Sequence, residues 1–335
     1  MRKYHFLYMG LGIAMLCAGV LASLALGSRM IPLQEVVRTL FGDGGDGLAT
    51  AVVLERIPRT VFGILAGASL GVSGALMQAI TRNPIADPSI LGINTGAALF
   101  VVFGMSFLQM STLQSYIWMA LLGAFVTAIF VYSVGSIGAG GMTPIKLALA
   151  GAATSAALSS IVSALLLPRV EVMNAFRFWQ VGSIGGATWS AVTTVLPFLF
   201  VGLFIALIIS PQLDLMSLGE ELAKGLGVHP GIVRVLGTLS AVTLCGAVTA
   251  VAGPIGFVGL MIPHVLKILF GPQLKWVVPM SMVYGGAILL FADVIGRMLG
   301  SPSELESGIV TAFLGAPVLI YVAARAKGGL SRHGV

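Results

Sequence analysis

Between Val61 and Ile80 the chain runs twenty positions without an Asp, Glu, Lys or Arg, and a Gly63-x-x-x-Gly67-x-x-x-Gly71 pattern lies inside that run. About twenty consecutive apolar residues is the length a helix needs to cross the hydrocarbon core of a bilayer. Small residues four apart let two such helices approach closely. The run is bounded by Arg56-Ile57-Pro58-Arg59 on one side and by Arg82-Asn83-Pro84-Ile85-Ala86-Asp87-Pro88 on the other, so its two ends differ in chemistry.

The pattern recurs. Apolar runs bounded by charge, Pro or Gly fall near 6–27, 60–80, 90–107, 116–134, 144–167, 190–209, 232–252, 256–270, 276–296 and 307–325. They account for most of the 335 residues, of which 57% are hydrophobic and only 9% charged, against roughly 25% charged in a soluble domain. The expected fold class is therefore an all-α membrane protein of about ten transmembrane helices, organised as one polytopic domain over residues 1–335. The first run is longer than a signal-peptide core and is read as a retained span. The segment 256–270 is too short to cross a bilayer unaided and is interrupted by Gly256, Gly259 and Pro263. Such a segment is either a broken helix beside a transport pathway or a Pro-kinked packing helix.

With the N-terminus placed in the cytoplasm, eleven of the eighteen Lys and Arg fall on the inner side, Arg82, Lys224, Arg234 and Lys267 among them. The positive-inside rule favours that orientation, with both termini cytoplasmic. The outer side then holds Arg29, Arg38, Arg56, Arg59, Arg169, Arg177 and Arg297.

Several chemistries lack residues. No Gly-x-x-x-x-Gly-Lys-Ser/Thr loop is present, so nothing here cradles ATP in that way. The four histidines are scattered, and Cys17 and Cys245 sit in separate apolar runs, read as packing positions. No catalytic residue, metal site or cofactor is expected. The twelve acids lie in loops or near span ends, Asp293 deepest, which argues against an ion-coupled carrier, since such carriers keep ionisable groups at membrane depth.

The inner loop 211–231 reads differently from the spans. Ser217 and Glu220 have capping-box spacing, so a short helix is expected from Ser217 to Gly225 or Gly227, with His229-Pro230-Gly231 turning the chain into the next span. Its Leu218, Leu222 and Leu226 need a surface to pack on, either a cytoplasmic partner or the lipid interface. At the Asn83–Pro88 turn both X-Pro steps impose extended geometry, and Asp87 is placed to N-cap the next helix with Pro88 at its first position.

Taken together, Arg56-Ile57-Pro58-Arg59-Thr60, Gly74-Ala75-Leu76-Met77-Gln78, Arg82-Asn83-Pro84-Ile85-Ala86-Asp87-Pro88, Gly253-Pro254-Ile255-Gly256-Phe257 through Pro263-His264, Ala292-Asp293 to Gly296-Arg297 and Leu314-Gly315-Ala316-Pro317 resemble the permease subunits of ABC importers for iron-siderophores, haem and vitamin B12. The resemblance covers essentially the whole chain. It implies a vitamin B12 permease-like bundle in the bacterial cytoplasmic membrane, paired with a second permease subunit, itself or a paralogue. Two cytoplasmic ATPase subunits and an extracytoplasmic substrate-binding protein complete the implied importer, and no nucleic acid is involved.

The resemblance also implies residue roles. Arg56, Arg59 and Arg297 match the arginines that dock the binding protein. The loop holding Ser217, Leu218, Glu220, Glu221, Leu222, Gly225, Gly227 and His229 matches the ATPase coupling region. The loop Gly140–Lys146, with Thr143, corresponds to an inner gate, and Phe178, Trp179 and Gln180 fall at the outer end of the pathway, though an aromatic-belt role suits Phe178 and Trp179 equally. Departures are Glu306-Ser307-Gly308 where the family has Pro-Val-Gly, and Lys267 where Arg is commoner. The stretch Arg177–Ser183 resembles permeases for ferric siderophores of the catecholate group, with haem or cobalamin as alternative cargo. From another class, an ATP-independent secondary carrier is the rival reading.

Overall fold

A computed structural model describes residues 2–42, 47–137, 143–301 and 303–330. Among the described residues the regular structure is helical: α1 (Arg2–Ala25), α2 (Leu33–Leu40), α3 (Leu48–Thr81), a 3-10 turn (Pro88–Leu91), α4 (Ile93–Phe107), α5 (Leu113–Gly135), α6 (Pro144–Leu166), α7 (Val170–Val181), α8 (Trp189–Ser217), α9 (Glu220–Gly225), α10 (Pro230–Ala252), α11 (Val258–Phe270), α12 (Leu274–Leu299) and α13 (Ser307–Leu330). Seven of these, α1, α3, α5, α6, α8, α10 and α12, are long and apolar enough to cross a membrane, and α4, α11 and the start of α13 are shorter apolar helices. These ten coincide with the ten apolar runs. The chain passes alternately between two ends of the bundle, with α2 and α7 at one end and α9 at the other.

At the centre, α3 packs on α12, α10 and α11. The glycines of α3 permit this. A Cβ on Gly67 would collide with the backbone carbonyl of Gly285 on α12, and one on Gly74 with the carbonyl of Gly259 on α11. Those contacts are therefore backbone on backbone, the use of small residues expected where two helices must close without intervening side chains. α1 lies against α12, where the Tyr284 hydroxyl donates to the Tyr8 carbonyl at 2.7 Å. Cys245 is buried as expected, but Cys17 is exposed, because α1 touches the bundle along the face of Gly12 and Gly19 and Cys17 lies off it.

Three helices go beyond the sequence reading. α3 begins at Leu48 instead of near position 60, so Arg56, Pro58 and Arg59 lie within the helix and do not fence it. A proline ring removes one backbone donor and disturbs one turn, and the packed neighbours around buried Pro58 carry the helix across it. α2 and α7 were too short to register as apolar runs. α2 seats Val36 against Leu24, Ala25, Ile31 and Val53 in a small separate core.

The Asn83–Pro88 turn forms as expected: Asp87 Oδ1 accepts from the Ser89 amide at 2.9 Å with Pro88 opening the 3-10 turn. The segment 253–257 is non-helical, and α11 starts only after Phe257, which takes a left-handed conformation (φ 68°). At 13 residues α11 is about 20 Å long, so the helix is broken before its start and Pro263 stays within it.

Candidate functional site

Chemistry-bearing side chains gather at the two ends of the bundle. At the first, α3 places Arg56, Arg59 and Thr60 on one face, since residues three and four apart stack on a helix, and α12 contributes Asp293 and Arg297 by the same spacing. Arg59 grips Asp293 in a fork: Nε lies 3.2 and 3.1 Å from the two carboxylate oxygens and Nη2 2.8 Å from Oδ1. Its Nη1 donates to Glu304 Oε2 at 2.7 Å. Arg297 Nε stands 3.1 Å from Asp293 Oδ2, yet its N–H finds no hydrogen-bond acceptor, so this pair is held by charge. Arg297 instead donates to the carbonyl (3.1 Å) and hydroxyl (3.2 Å) of Ser23 on α1. Arg56 donates to the Leu24 and Arg29 carbonyls at 2.9 and 2.7 Å.

The three arginines expected to face outward thus form one cluster with Asp293 and Glu304. Arg297 and Asp293 are each 1% exposed and Arg56 8%, whereas Arg59 keeps 12% of its side chain exposed and Glu304 40%. The exposure anticipated for all three holds only at the Arg59–Glu304 edge. Three guanidinium groups face two carboxylates, and burial of the remaining positive charge is offset by hydrogen bonds to carbonyls. Asp293, which looked from sequence like a residue near a span end, is the hub of this cluster, and Glu304 was not singled out. The i, i+4 spacing of Asp293 and Arg297 was the available signal.

At the opposite end, α8 runs to Ser217, and the expected capping box does not form. The Ser217 hydroxyl donates back to the Asp214 carbonyl at 2.6 Å, so it is spent inside α8. The turn is made by Gly219 (φ 125°) as N-cap of α9. Glu220 pairs with Arg234 at the start of α10. Glu220 and Glu221 in the first turn and Lys224 in the last complement the peptide dipoles of α9. Ala223 is buried, while Leu218, Leu222 and Leu226 are each 63% exposed. Gly225 closes α9, Gly227 turns the chain with φ 83°, and exposed His229 precedes α10.

Of the expected pathway residues, Thr143 N-caps α6, accepting from the Lys146 amide at 3.3 Å; Gly140, Gly141 and Met142 of the same loop lie outside the described residues. Phe178, Trp179 and Gln180 fall on α7. Trp179 and Gln180 line a cavity of about 290 Å³ with Asn94, Thr95, Ser159 and Ser163, and Trp179 stacks on Phe176 at 5.6 Å. The C-terminal end of α7 is clipped by backbone bonds from Ser183 to the Ala252 carbonyl (2.7 Å) and from Gly308 to the Gly182 carbonyl (2.9 Å). Ser159 and Ser163 were missed, although with Ser155 they place hydroxyls four apart along one face of α6.

Comparison with known proteins covers most of the chain. The FecCD transport family matches residues 15–325. The Fe(3+)-citrate import system permease protein YfmD of Bacillus subtilis is 41% identical over 309 residues, 92% of each chain. The ferric enterobactin transport system permease protein FepD of Escherichia coli is 40% identical over 308 residues, again 92% of each. Among solved structures, an inward-facing metal-chelate type ABC transporter superposes with a TM-score of 0.81 at 27% identity, covering 96% of this chain and 99% of that one.

Proposed function

The chain belongs to the FecCD transport family, and from that premise we propose that it forms the membrane pathway of an ATP-binding-cassette importer for a ferric siderophore. The observation that carries this is the match of whole-length iron-chelate permeases to a chain whose sequence holds no phosphate-binding loop. It is a transport subunit, and ATP hydrolysis belongs to a partner. The similarity to a ferric enterobactin permease supports cargo of the catecholate type, although the ferric citrate permease is equally similar.

In this reading α9 is the coupling element. It carries exposed Leu222 between exposed Leu218 and Leu226 at its two flanks and is held to α10 by Glu220 and Arg234, and two ATPase subunits in the cytoplasm cover that surface on the permease and its pairing subunit. The arginine cluster at the other end is the docking point of a substrate-binding protein. Arg59 is its contact residue, oriented by Asp293, and Arg56 and Arg297 add positive charge behind it. A carboxylate of the binding protein then replaces Glu304, the exposed partner of Arg59. Such an exchange conserves charge pairing, so it sets register and association rate more than affinity. In this reading the α9 end lies in the cytoplasm and the protein in the bacterial cytoplasmic membrane. Trp179 and Gln180 border the outer part of the route.

The test is reconstitution in liposomes with the cognate ATPase and binding protein. Ferric siderophore should accumulate only with ATP and binding protein supplied. Uptake without ATP overturns the reading in favour of a secondary carrier, and selective uptake of haem or cobalamin overturns the cargo.

A further inference from the structure

At the α9 end a second cavity, about 290 Å³, opens between the ends of α3, α8, α10 and α11 and the start of α12. Its wall carries Arg82, Arg234 and Lys267. The one acid in its lining, Asp214, uses both carboxylate oxygens on the backbone amides of Leu274 (2.6 Å) and Lys275 (3.2 Å), where it caps α12. Arg234 is paired with Glu220. Arg82 and Lys267 have no carboxylate partner among the described residues: Arg82 donates to the Met216 carbonyl at 3.1 Å and Lys267 to Gln78 Oε1 at 2.8 Å.

Both cations are set in place by their surroundings. Gln78 is 3% exposed and its amide nitrogen faces the Gly259 and Leu260 carbonyls, which fixes its oxygen toward Lys267. Arg82 ends α3 in a left-handed conformation (φ 52°, ψ 31°), a position that glycine or asparagine fills at lower cost. Two oriented cations on the wall of a partly enclosed cavity whose remaining lining is largely apolar have the chemistry of a site for the phosphate group of an amphiphile. Basic pockets between membrane helices on the cytoplasmic side take anionic lipid headgroups.

We propose that Arg82 and Lys267, held by Met216 and Gln78, bind the phosphate of an anionic phospholipid headgroup in this cavity. Glu220 already satisfies Arg234, so the phosphate engages the other two cations first. The inference needs only that the helices lie in a membrane and does not depend on the cargo.

The full chain, purified in mild detergent, is titrated separately with phosphatidylglycerol, phosphatidylcholine and inorganic phosphate, reading bound adducts by native mass spectrometry and thermal stability alongside. Phosphatidylglycerol should bind and stabilise where phosphatidylcholine does not. Lys267→Gln and Arg82→Asn should each weaken it about fivefold, the worth of one cation near an anionic headgroup, and Lys267→Arg should retain it. If inorganic phosphate alone stabilises the native chain and the same variants lose that response, the site stands with a soluble phosphate as its source. Equal phosphatidylglycerol binding by native chain and both variants, or equal stabilisation by phosphatidylcholine, overturns the proposal. Lys267 also sits in the last turn of α11, where a purely structural role would change stability without changing lipid selectivity. Asparagine tolerates the left-handed backbone, so Arg82→Asn reads the site even if Lys267→Gln fails to fold.

Discussion

Arg59 and Asp293 lie 234 positions apart in sequence and meet at 2.8 Å across the contact between α3 and α12, with Asp293 1% exposed. This pair ties the central helix of the bundle to the helix that packs on it most extensively, and it does so where both reach the same end of the molecule.

Removing Asp293 leaves Arg59 and Arg297 buried without their shared counter-charge. Breaking a buried pair from one side costs about 3–5 kcal/mol. Asp293→Ala should therefore lower the thermal midpoint of the purified protein sharply and reduce its yield in membranes. Adding Arg297→Met to that variant should recover part of the loss, and a midpoint for Asp293→Ala equal to the native value would contradict the pairing.

Glu304 is the exposed member of the same cluster and should behave oppositely. Exposed ion pairs contribute about 0–1 kcal/mol, so Glu304→Gln should barely change stability. Freed from Glu304, Arg59 should associate faster with the binding protein at low ionic strength. Surface plasmon resonance across a salt series checks this, and an unchanged association rate counts against Arg59 as the contact residue.

Leu222 is 63% exposed on α9 and contributes little to the fold. Leu222→Asp should leave thermal stability within about 0.5 kcal/mol, as at an ordinary surface position. It should also weaken recovery of the ATPase on affinity-tagged permease about tenfold or more, the loss expected from a central interface side chain. Full retention of the ATPase removes α9 from the coupling role.

Gly74 admits no side chain against Gly259. Gly74→Leu forces α3 and α11 apart and should prevent recovery of a monodisperse protein. Overpacking typically costs about 1–3 kcal/mol, and a backbone collision lies at the upper end. Gly10, with open space around it, provides the control: Gly10→Leu should express normally. Size-exclusion profiles of the two variants decide the point.

The ten apolar runs were legible because membrane helices announce themselves by length and composition. The Asn83–Pro88 turn was legible because proline and Asp87 act locally. What escaped was set by contacts distant in sequence. Ser217 has the spacing of a cap, but α8 continues far enough to use its hydroxyl on Asp214. Arg56 and Arg297 looked outward by topology, yet the Leu24 and Ser23 carbonyls of α1 turn them inward. The polar cavity beside Trp179 depends on which face α6 presents to α4 and α7, which composition alone does not specify.

The glycine contacts of α3 bear on how the bundle moves. Helices locked by interdigitating side chains must unseat each knob before they shift. Where Gly67 meets Gly285 and Gly74 meets Gly259, smooth backbone faces smooth backbone. The joint is thus suited to sliding along its length and resistant to opening across it, which favours shear over hinge bending for a helix of 34 residues, about 51 Å long.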